Sequence, residues 1–460
     1  MKKYDAIIIG SGQAGNPLAK KLAGAGWKTA IIERALVGGT CINYGCTPTK
    51  TMVASARIAY LARQGKEFGV PLQNFKVDIK TVVARKNKVV AQFHHGSEKQ
   101  LLKTKGIDLI YGEASFTGVT TIHVDLNKGG SQELTAPKIF INTGGRSAIP
   151  GIEGLSTIDY LTSTTILDLD EIPKHLLIIG GSYIGLEFGQ MFRRFGSKVT
   201  ILDTSPRFLP KEDEDIAAEM RKILEDEGIT IYTDAKAELI KKTTQVSVRA
   251  FINKEVKYLQ CSHVLVAAGR IPNTGMLHLD AAGVKTNERG YIIVNDKMET
   301  SAKGIYALGD VNGGPAFTHI AYNDYLIVAK NLLTKEKATA KNRPVPYCMY
   351  TDPQLGRVGI TEQEARKQGL KIKVATLPMA HVARAIETGD TRGMMKAVVD
   401  AKSGKILGVA MLCTEGGEIM TVMQMAMAGG LTHMQLRETI FAHPSWSEAI
   451  NNLFMPLDKL

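Results

Sequence analysis

Two cysteines, Cys41 and Cys46, stand five positions apart in the stretch Gly38-Gly39-Thr40-Cys41-Ile42-Asn43-Tyr44-Gly45-Cys46-Thr47-Pro48-Thr49-Lys50. Thiols this close can form a redox-active disulfide, contribute half of a zinc site, or lie inert in a core. Zinc would need two further ligands, and no neighbouring His or Cys completes a recognisable set. On a regular helix the two residues would rise about 7.5 Å apart, whereas a disulfide needs Cα atoms nearer than about 7 Å. A disulfide therefore requires a distorted turn, for which Asn43 and Gly45 offer backbone freedom. A helix starting here would bring its positive end to the sulfurs and lower a thiol pKa. With the glycine-rich approach and Lys50 just beyond, redox activity is the expected role, and zinc binding and an inert pair are the alternatives.

A thiol pair that turns over needs an electron source, and the sequence supplies two nucleotide turns. Gly10-Ser11-Gly12-Gln13-Ala14-Gly15 lies between a strand (Tyr4–Ile9) and a helix, with Glu33 closing the next strand. In that setting Gly10 makes the tight turn, Gly12 admits the pyrophosphate and Gly15 lets the helix pack closely. The helix N-terminus faces the phosphates, and the Glu33 carboxylate can accept ribose hydroxyls. Residues 175–203 repeat the plan, with Gly180-Gly181-Ser182-Tyr183-Ile184-Gly185 as the turn and Asp203 in the place of Glu33. Ser182 replaces the middle glycine. A carboxylate at Asp203 favours a free ribose 2′-hydroxyl and so NADH over NADPH, although Arg207 nearby weakens that preference.

The two units share a later element as well. Lys138–Pro150 and His263–Asn273 are both short apolar strands closing on a glycine turn. Two related nucleotide-binding domains follow from this duplication, an α/β design with Rossmann-like folds. Residues 51–110 carry helical periodicity with many Lys and Arg, so long exposed helices are expected there. From about residue 346 strands alternate with helices, including Lys396–Asp400 and the segment Met420–Met427.

Composition agrees with a multidomain globular chain: 460 residues, 44% hydrophobic, 22% charged, and 45 glycines for tight turns. The net charge of +12 comes from scattered Lys and Arg, with no basic block of the nucleic-acid-binding kind. No apolar stretch is long enough to span a bilayer, and MKKYDAIIIG passes straight into a glycine turn without a cleavage site. A cytoplasmic location, with neither nucleic acid nor membrane as partner, is expected. Cys261, Cys348 and Cys413 fall in apolar runs and read as small buried hydrophobes. Met420, Met423 and Met427 read as packing rather than a copper site, and His94-His95 as an exposed helix face. No bound metal is expected.

Taken together, these motifs resemble the class I flavoprotein pyridine nucleotide-disulfide oxidoreductases over nearly the whole chain. GGTCINYGCTPTK is similar to their redox-disulfide signature. Further likenesses are Thr143-Gly144-Gly145, Gly269-Arg270-Ile271-Pro272-Asn273, Ile305–Asp310, Tyr350-Thr351-Asp352-Pro353 and His443-Pro444-Ser445-Trp446-Ser447-Glu448. The resemblance implies an FAD domain (1–150), an inserted NAD(P)H domain (151–270), a central segment completing the FAD site (271–345) and an α+β dimerisation domain (346–460). It assigns one non-covalent FAD per subunit to Gly10, Gly12, Gly15, Glu33, Gly39, Thr40, Lys50, Ala114, Thr143, Gly144, Gly309, Asp310 and Thr318. NAD(P)H falls to Gly180, Ser182, Gly185, Asp203 and Gly269, with Tyr183 covering the nicotinamide site. Cys46 becomes the charge-transfer thiolate and Cys41 the exposed interchange thiol. Lys50 and Glu187 form an ion pair at the reactive face of the flavin. His443, oriented by Glu448, serves the cysteines of the other subunit, which makes the enzyme a homodimer.

For the substrate, the resemblance narrows to bacterial reductases that resist reactive chlorine species, near mercuric reductase. Arg384-Ala385 and Thr391-Arg392-Gly393 are similar to the mercuric side. Yet no vicinal cysteine pair stands in Phe454–Leu460, no small N-terminal metal-binding module is present, and His443 is kept where that group has tyrosine. Thr204 and Pro210 stand where glutathione reductase carries arginines. Phe317-Thr318-His319-Ile320 and the terminal AHPSWSEAINNLF look most like the oxidant-defence branch. The expected acceptor is a small oxidant such as hypothiocyanous acid, with copper(II) as a further possibility. The alternatives are a metal ion reductase, dihydrolipoamide dehydrogenase, an NADH oxidase and a non-catalytic redox sensor.

Overall fold

The structure, a computed structural model, describes residues 1–72 and 74–459. Leu460, at the end of the terminal segment, lies outside the described residues. The run Ala6-Ile7-Ile8-Ile9 is buried throughout, as expected for a strand covered on both faces by helices. It pairs in parallel with Thr29–Glu33 on one side and Lys138–Ile141 on the other. Ile305–Ala307 and Ile107–Gly118 extend this parallel core, and strands Thr121–Leu126 and Ser131–Thr135 add an antiparallel flap. Helix α1 (Gly15–Gly24) begins on the third glycine of the first turn, and helix α2 (Gly39–Asn43) carries Cys41. Helices α3 (Cys46–Gln64) and α4 (Ile79–Lys103) follow as a packed pair.

The second unit repeats this local plan in a five-stranded parallel sheet, with His175–Ile179 between Lys198–Leu202 and His263–Val266. Helix α5 (Tyr183–Phe195) starts at the glycine turn, and α6 (Glu214–Asp226) covers the same sheet. Strands Ala235–Lys242, Val246–Ile252 and Glu255–Cys261 form a separate antiparallel sheet. Helix α7 (Thr318–Leu333) then packs back on α1. The chain ends in a five-stranded antiparallel sheet backed by a helix (Gly416–Ala428). There Met420 and Met423 are buried in the core, so the methionine stripe is packing. Among the described residues, no helix is long and apolar enough to cross a membrane.

Three local expectations are corrected. The helices over 51–110 are not simply exposed: α3 buries Met52, Ala56 and Ala59 and runs along α5. Lys86 on α4 is 3% exposed and donates to Asp168 at 2.6 Å. His94 is half-buried rather than on a free face, its Nδ1 donating to the Val37 carbonyl at 2.9 Å in the approach to the cysteines. Cys348 is only half-buried, because the edge strand Tyr347–Met349 turns it toward the site cleft.

Candidate active site

The distortion demanded by the cysteine spacing lies at Tyr44 and Gly45, between α2 and α3. Cys41 thus sits in the middle of one short helix while Cys46 opens the next. Asn43 contributes in another way than expected. It is the last residue of α2, and its Nδ2 donates to the carbonyls of Leu36, Val37 and Gly39 at 3.0–3.3 Å, tying the approach loop down. Gly38 and Gly39 have φ of 103° and 62°, and a Cβ at Gly39 would stand 2.9 Å from the Cα of Gly12. That contact presses the cysteine loop against the first phosphate turn.

Both cysteines are thiols here. A hydrogen bond from Cys41 lowers the Cys46 thiol to about 6, helped by Thr318 and Lys50 and opposed by burial. Cys41 is pushed up, first by the hydrogen bond to Cys46 and then by burial. The hydrogen bond between them thus favours the thiolate on Cys46 over one on Cys41. Both cysteines line the same cleft. Cys46 opens into the cleft, where its Sγ lies 3.3 Å from the Thr318 hydroxyl at the start of α7. One turn into α3, Lys50 Nζ contacts Glu187 Oε2 at 2.7 Å and sits 4.8 Å above the Tyr350 ring. Glu187 is 3% exposed, and its other oxygen accepts from the Tyr350 backbone N–H at 2.8 Å.

All of this opens on one cleft of about 1120 Å³. Gly10, Gly12, Glu33, Gly39, Thr40, Ala114, Thr143, Gly144, Gly309, Asp310 and Thr318 line it, together with both cysteines, Lys50, Tyr183 and Glu187. Gly15 lies beneath the turn, where a Cβ would strike the Gly10 carbonyl at 2.2 Å. Glu33 is 8% exposed and accepts from Ser11 N (3.0 Å), Ser11 Oγ (2.6 Å) and Ala35 N (2.9 Å). Burial raises the Asp310 carboxyl, opposed by Arg270, whose Nη2 is 3.6 Å away. A narrow glycine-lined turn at one end, a fixed carboxylate behind it and thiols at the other fit FAD in size and donor set.

The remaining residues lie elsewhere. Gly180, Ser182, Gly185, Asp203 and Gly269 belong to the second unit and do not line this cleft. Asp203 is half-buried, its carboxyl raised by burial, and Oδ1 accepts from Ser205 N at 3.1 Å. Arg207 is occupied: its guanidinium donates to the Pro210 carbonyl (2.7 Å) and to Gln363 (3.1 Å). His443 is exposed, with Nδ1 held by Glu448 at 2.9 Å, and the pair is outside the cysteine cleft of its own chain.

Two features escaped the sequence reading. Asn142 cross-ties the first unit, accepting from Gly15 N at 2.9 Å and donating to the Leu308 carbonyl at 2.8 Å. Its signal was a lone polar residue ending the apolar strand KIFI. On α3, Tyr60 lies between the guanidinium groups of Arg194 (4.1 Å) and Arg392 (4.7 Å), both bound to Asp352. No local pattern marks that cluster, because its members come from four distant segments.

Comparison with known proteins agrees with this geometry. Residues 4–324 match the family model for pyridine nucleotide-disulphide oxidoreductases, and residues 345–454 match the dimerisation domain of the same family. The chain is 43% identical over 459 residues, 99% of each chain, to the probable pyridine nucleotide-disulfide oxidoreductase RclA of Escherichia coli K12. It is 35% identical over 457 residues to the mercuric reductase of Lysinibacillus sphaericus, covering 99% of this chain and 83% of that one. Among solved structures, the Cu(II) complex of the HOCl-induced flavoprotein disulfide reductase RclA from Escherichia coli superposes with a TM-score of 0.91 at 42% identity, over 99% of both chains. The thiol pair, the two nucleotide turns and the dimerisation domain thus belong together, and the chain is a member of the flavin-dependent pyridine nucleotide-disulphide oxidoreductase family.

Proposed function

We propose that this enzyme takes electrons from NADH and delivers them through Cys41 and Cys46 to a small electrophilic oxidant, hypothiocyanous acid or a related reactive chlorine product. The observation that carries the reading is the thiol pair opening on the same cleft as the first phosphate turn, with Cys46 beside Thr318 and the Lys50–Glu187 pair next to it. FAD, held by Gly10, Gly12, Glu33, Gly39, Thr40, Ala114, Thr143, Gly144, Asp310 and Thr318, supplies the two-electron chemistry between nicotinamide and disulfide. Tyr183 covers the nicotinamide site, and the Lys50–Glu187 pair fixes the charge beside it.

Cys41 needs a base to become a nucleophile, since its thiol is raised. We assign that role to His443 of the partner subunit, with Glu448 holding Nδ1 and leaving Nε2 for the proton. Cys41 attacks the sulfur of hypothiocyanous acid as His443 takes its proton. The S–O bond breaks, and hydroxide leaves as water with that proton. The Cys46 thiolate then displaces thiocyanate from Cys41, closing the disulfide, and NADH returns the electron pair. The exchange needs an accessible thiol and no shaped substrate pocket. The likeness to a reductase described as HOCl-induced supports this branch.

The preference for NADH rests on Asp203, with Arg207 engaged elsewhere and unable to meet a 2′-phosphate. The dimerisation domain supports a homodimer, and this cytosolic type of thiol chemistry supports a cytoplasmic location. The test is anaerobic NADH oxidation with hypothiocyanous acid, lipoamide or Hg(II) as acceptor, in wild type and Cys41→Ser. Fastest turnover with hypothiocyanous acid, lost in the variant, upholds the reading. Faster turnover with lipoamide or Hg(II) assigns the enzyme to another branch.

A further inference from the structure

Four rings meet at the mouth of the cleft. Phe317, the residue that precedes α7, lies parallel to Tyr347 at 5.7 Å (3°) and to His319 at 5.4 Å (11°). Tyr183 leans on the same phenyl ring at 6.2 Å and 37°. The stack is held from outside. The Tyr347 hydroxyl donates to Glu212, and Glu212 accepts from Arg357 Nε at 2.6 Å in a buried pair. His319 Nε2 donates to the Pro346 carbonyl at 2.7 Å. Phe317 is thus stacked between two rings that are themselves hydrogen-bonded, and it stands as a backstop for Tyr183.

We propose that Phe317 is a positioning residue for the nucleotide step, stabilising Tyr183 in its covering position and so setting how readily the nicotinamide enters. This rests on the reading of Tyr183 given above. The nucleotide binds the open position, and its apparent affinity is reduced by whatever fraction of the enzyme is covered. Loss of one aromatic pair shifts such an equilibrium by about 2- to 10-fold. Phe317→Leu keeps an apolar side chain but removes the ring, and so weakens the covered position. Tighter nucleotide binding from a truncation distinguishes this role from a structural one, which would loosen the site.

The experiment is calorimetric titration of the oxidised holoenzyme with NAD⁺, together with KM and kcat for NADH. It compares wild type, Phe317→Leu, Phe317→Tyr and Tyr183→Ala. For Phe317→Leu the expected result is a fall in Kd and in KM of about 2- to 10-fold with kcat unchanged. Phe317→Tyr, which restores the ring, should return to wild-type values. If Tyr183→Ala tightens binding but Phe317→Leu does not, Phe317 has no such role while the reading of Tyr183 stands. If Tyr183→Ala does not tighten binding, the covering role itself fails and this proposal fails with it. A lowered kcat at unchanged KM in Phe317→Leu also overturns the proposal. Should Phe317→Leu lose its flavin, Tyr347→Leu removes the outer ring together with its bond to Glu212 and carries the same sign at smaller size.

Discussion

An added Cβ at Gly10 would stand 2.4 Å from the Asn142 carbonyl oxygen, and one at Gly180 would stand 2.3 Å from that of Ala267. At Gly15 and Gly185 the clashes are with the carbonyls of Gly10 and Gly180, at 2.2 and 2.1 Å. The two phosphate turns are therefore near copies in backbone, and they differ in what surrounds them. In the first unit Asn142 cross-ties the turn, whereas Ala267 at the matching place has no polar side chain. Glu33 is buried and receives three hydrogen bonds, two of them from Ser11. At the position of Ser11 the second unit has Gly181, where a Cβ would press on Asp203 at 2.7 Å, and Asp203 receives a single bond from Ser205. On the proposed function the same backbone would serve two kinds of ligand: a pre-organised, fully bonded turn suits a resident group, and a looser one suits a nucleotide that must leave at every turnover.

Four substitutions would break or sharpen this contrast. Glu33→Ala removes three charge-assisted bonds at once, and purified protein should lose most of its FAD, read from its visible absorbance. Asp203→Ala should retain FAD but raise KM for NADH by about 10-fold or more, with a smaller change for NADPH. If Asp203→Ala also sheds flavin, the two units are not separable in the way described. Within the thiol pair, the Cys46 thiolate is present above about pH 6 and is lost as pH falls through that value. Cys41→Ala removes the main cause of that depression, so the same titration, followed by the pH dependence of alkylation, should move up toward the ordinary thiol value of about 8.5. Asn142→Ala leaves Gly15 N without its partner at a cost of about 1–3 kcal/mol. Its thermal midpoint should fall by a few degrees, with catalytic constants for NADH little changed.

Much of this was legible in the chain. The strand, glycine turn, helix and carboxylate of both units were readable because each signal is local: a buried apolar run, glycines where a Cβ has no room, and an acid ending the next strand. The cysteine pair was legible for the same reason, and a disulfide at its spacing required a break in the helix. The contact of Cys46 with Thr318 was not legible, because Thr318 comes 272 positions later. Nor was the environment of Cys348, whose apolar run suggested burial while the edge of its sheet turns toward the cleft. Asn43 was misread as a flexible residue because its type suits turns, whereas its side chain acts as a clamp. The first two are contacts between distant segments, whereas the Asn43 clamp is local and depends on where the loop carbonyls point.

The central claim is that Cys41 and Cys46 form the redox centre between nucleotide and acceptor. Anaerobic reductive titration of the flavin-loaded enzyme, beside Cys41→Ser and Cys46→Ser, tests it most directly. The account predicts that wild type takes up one more electron pair per bound flavin than either variant, and that only wild type is reoxidised by hypothiocyanous acid through its thiols. Equal uptake in all three proteins would contradict it and leave the cysteine pair without a redox role.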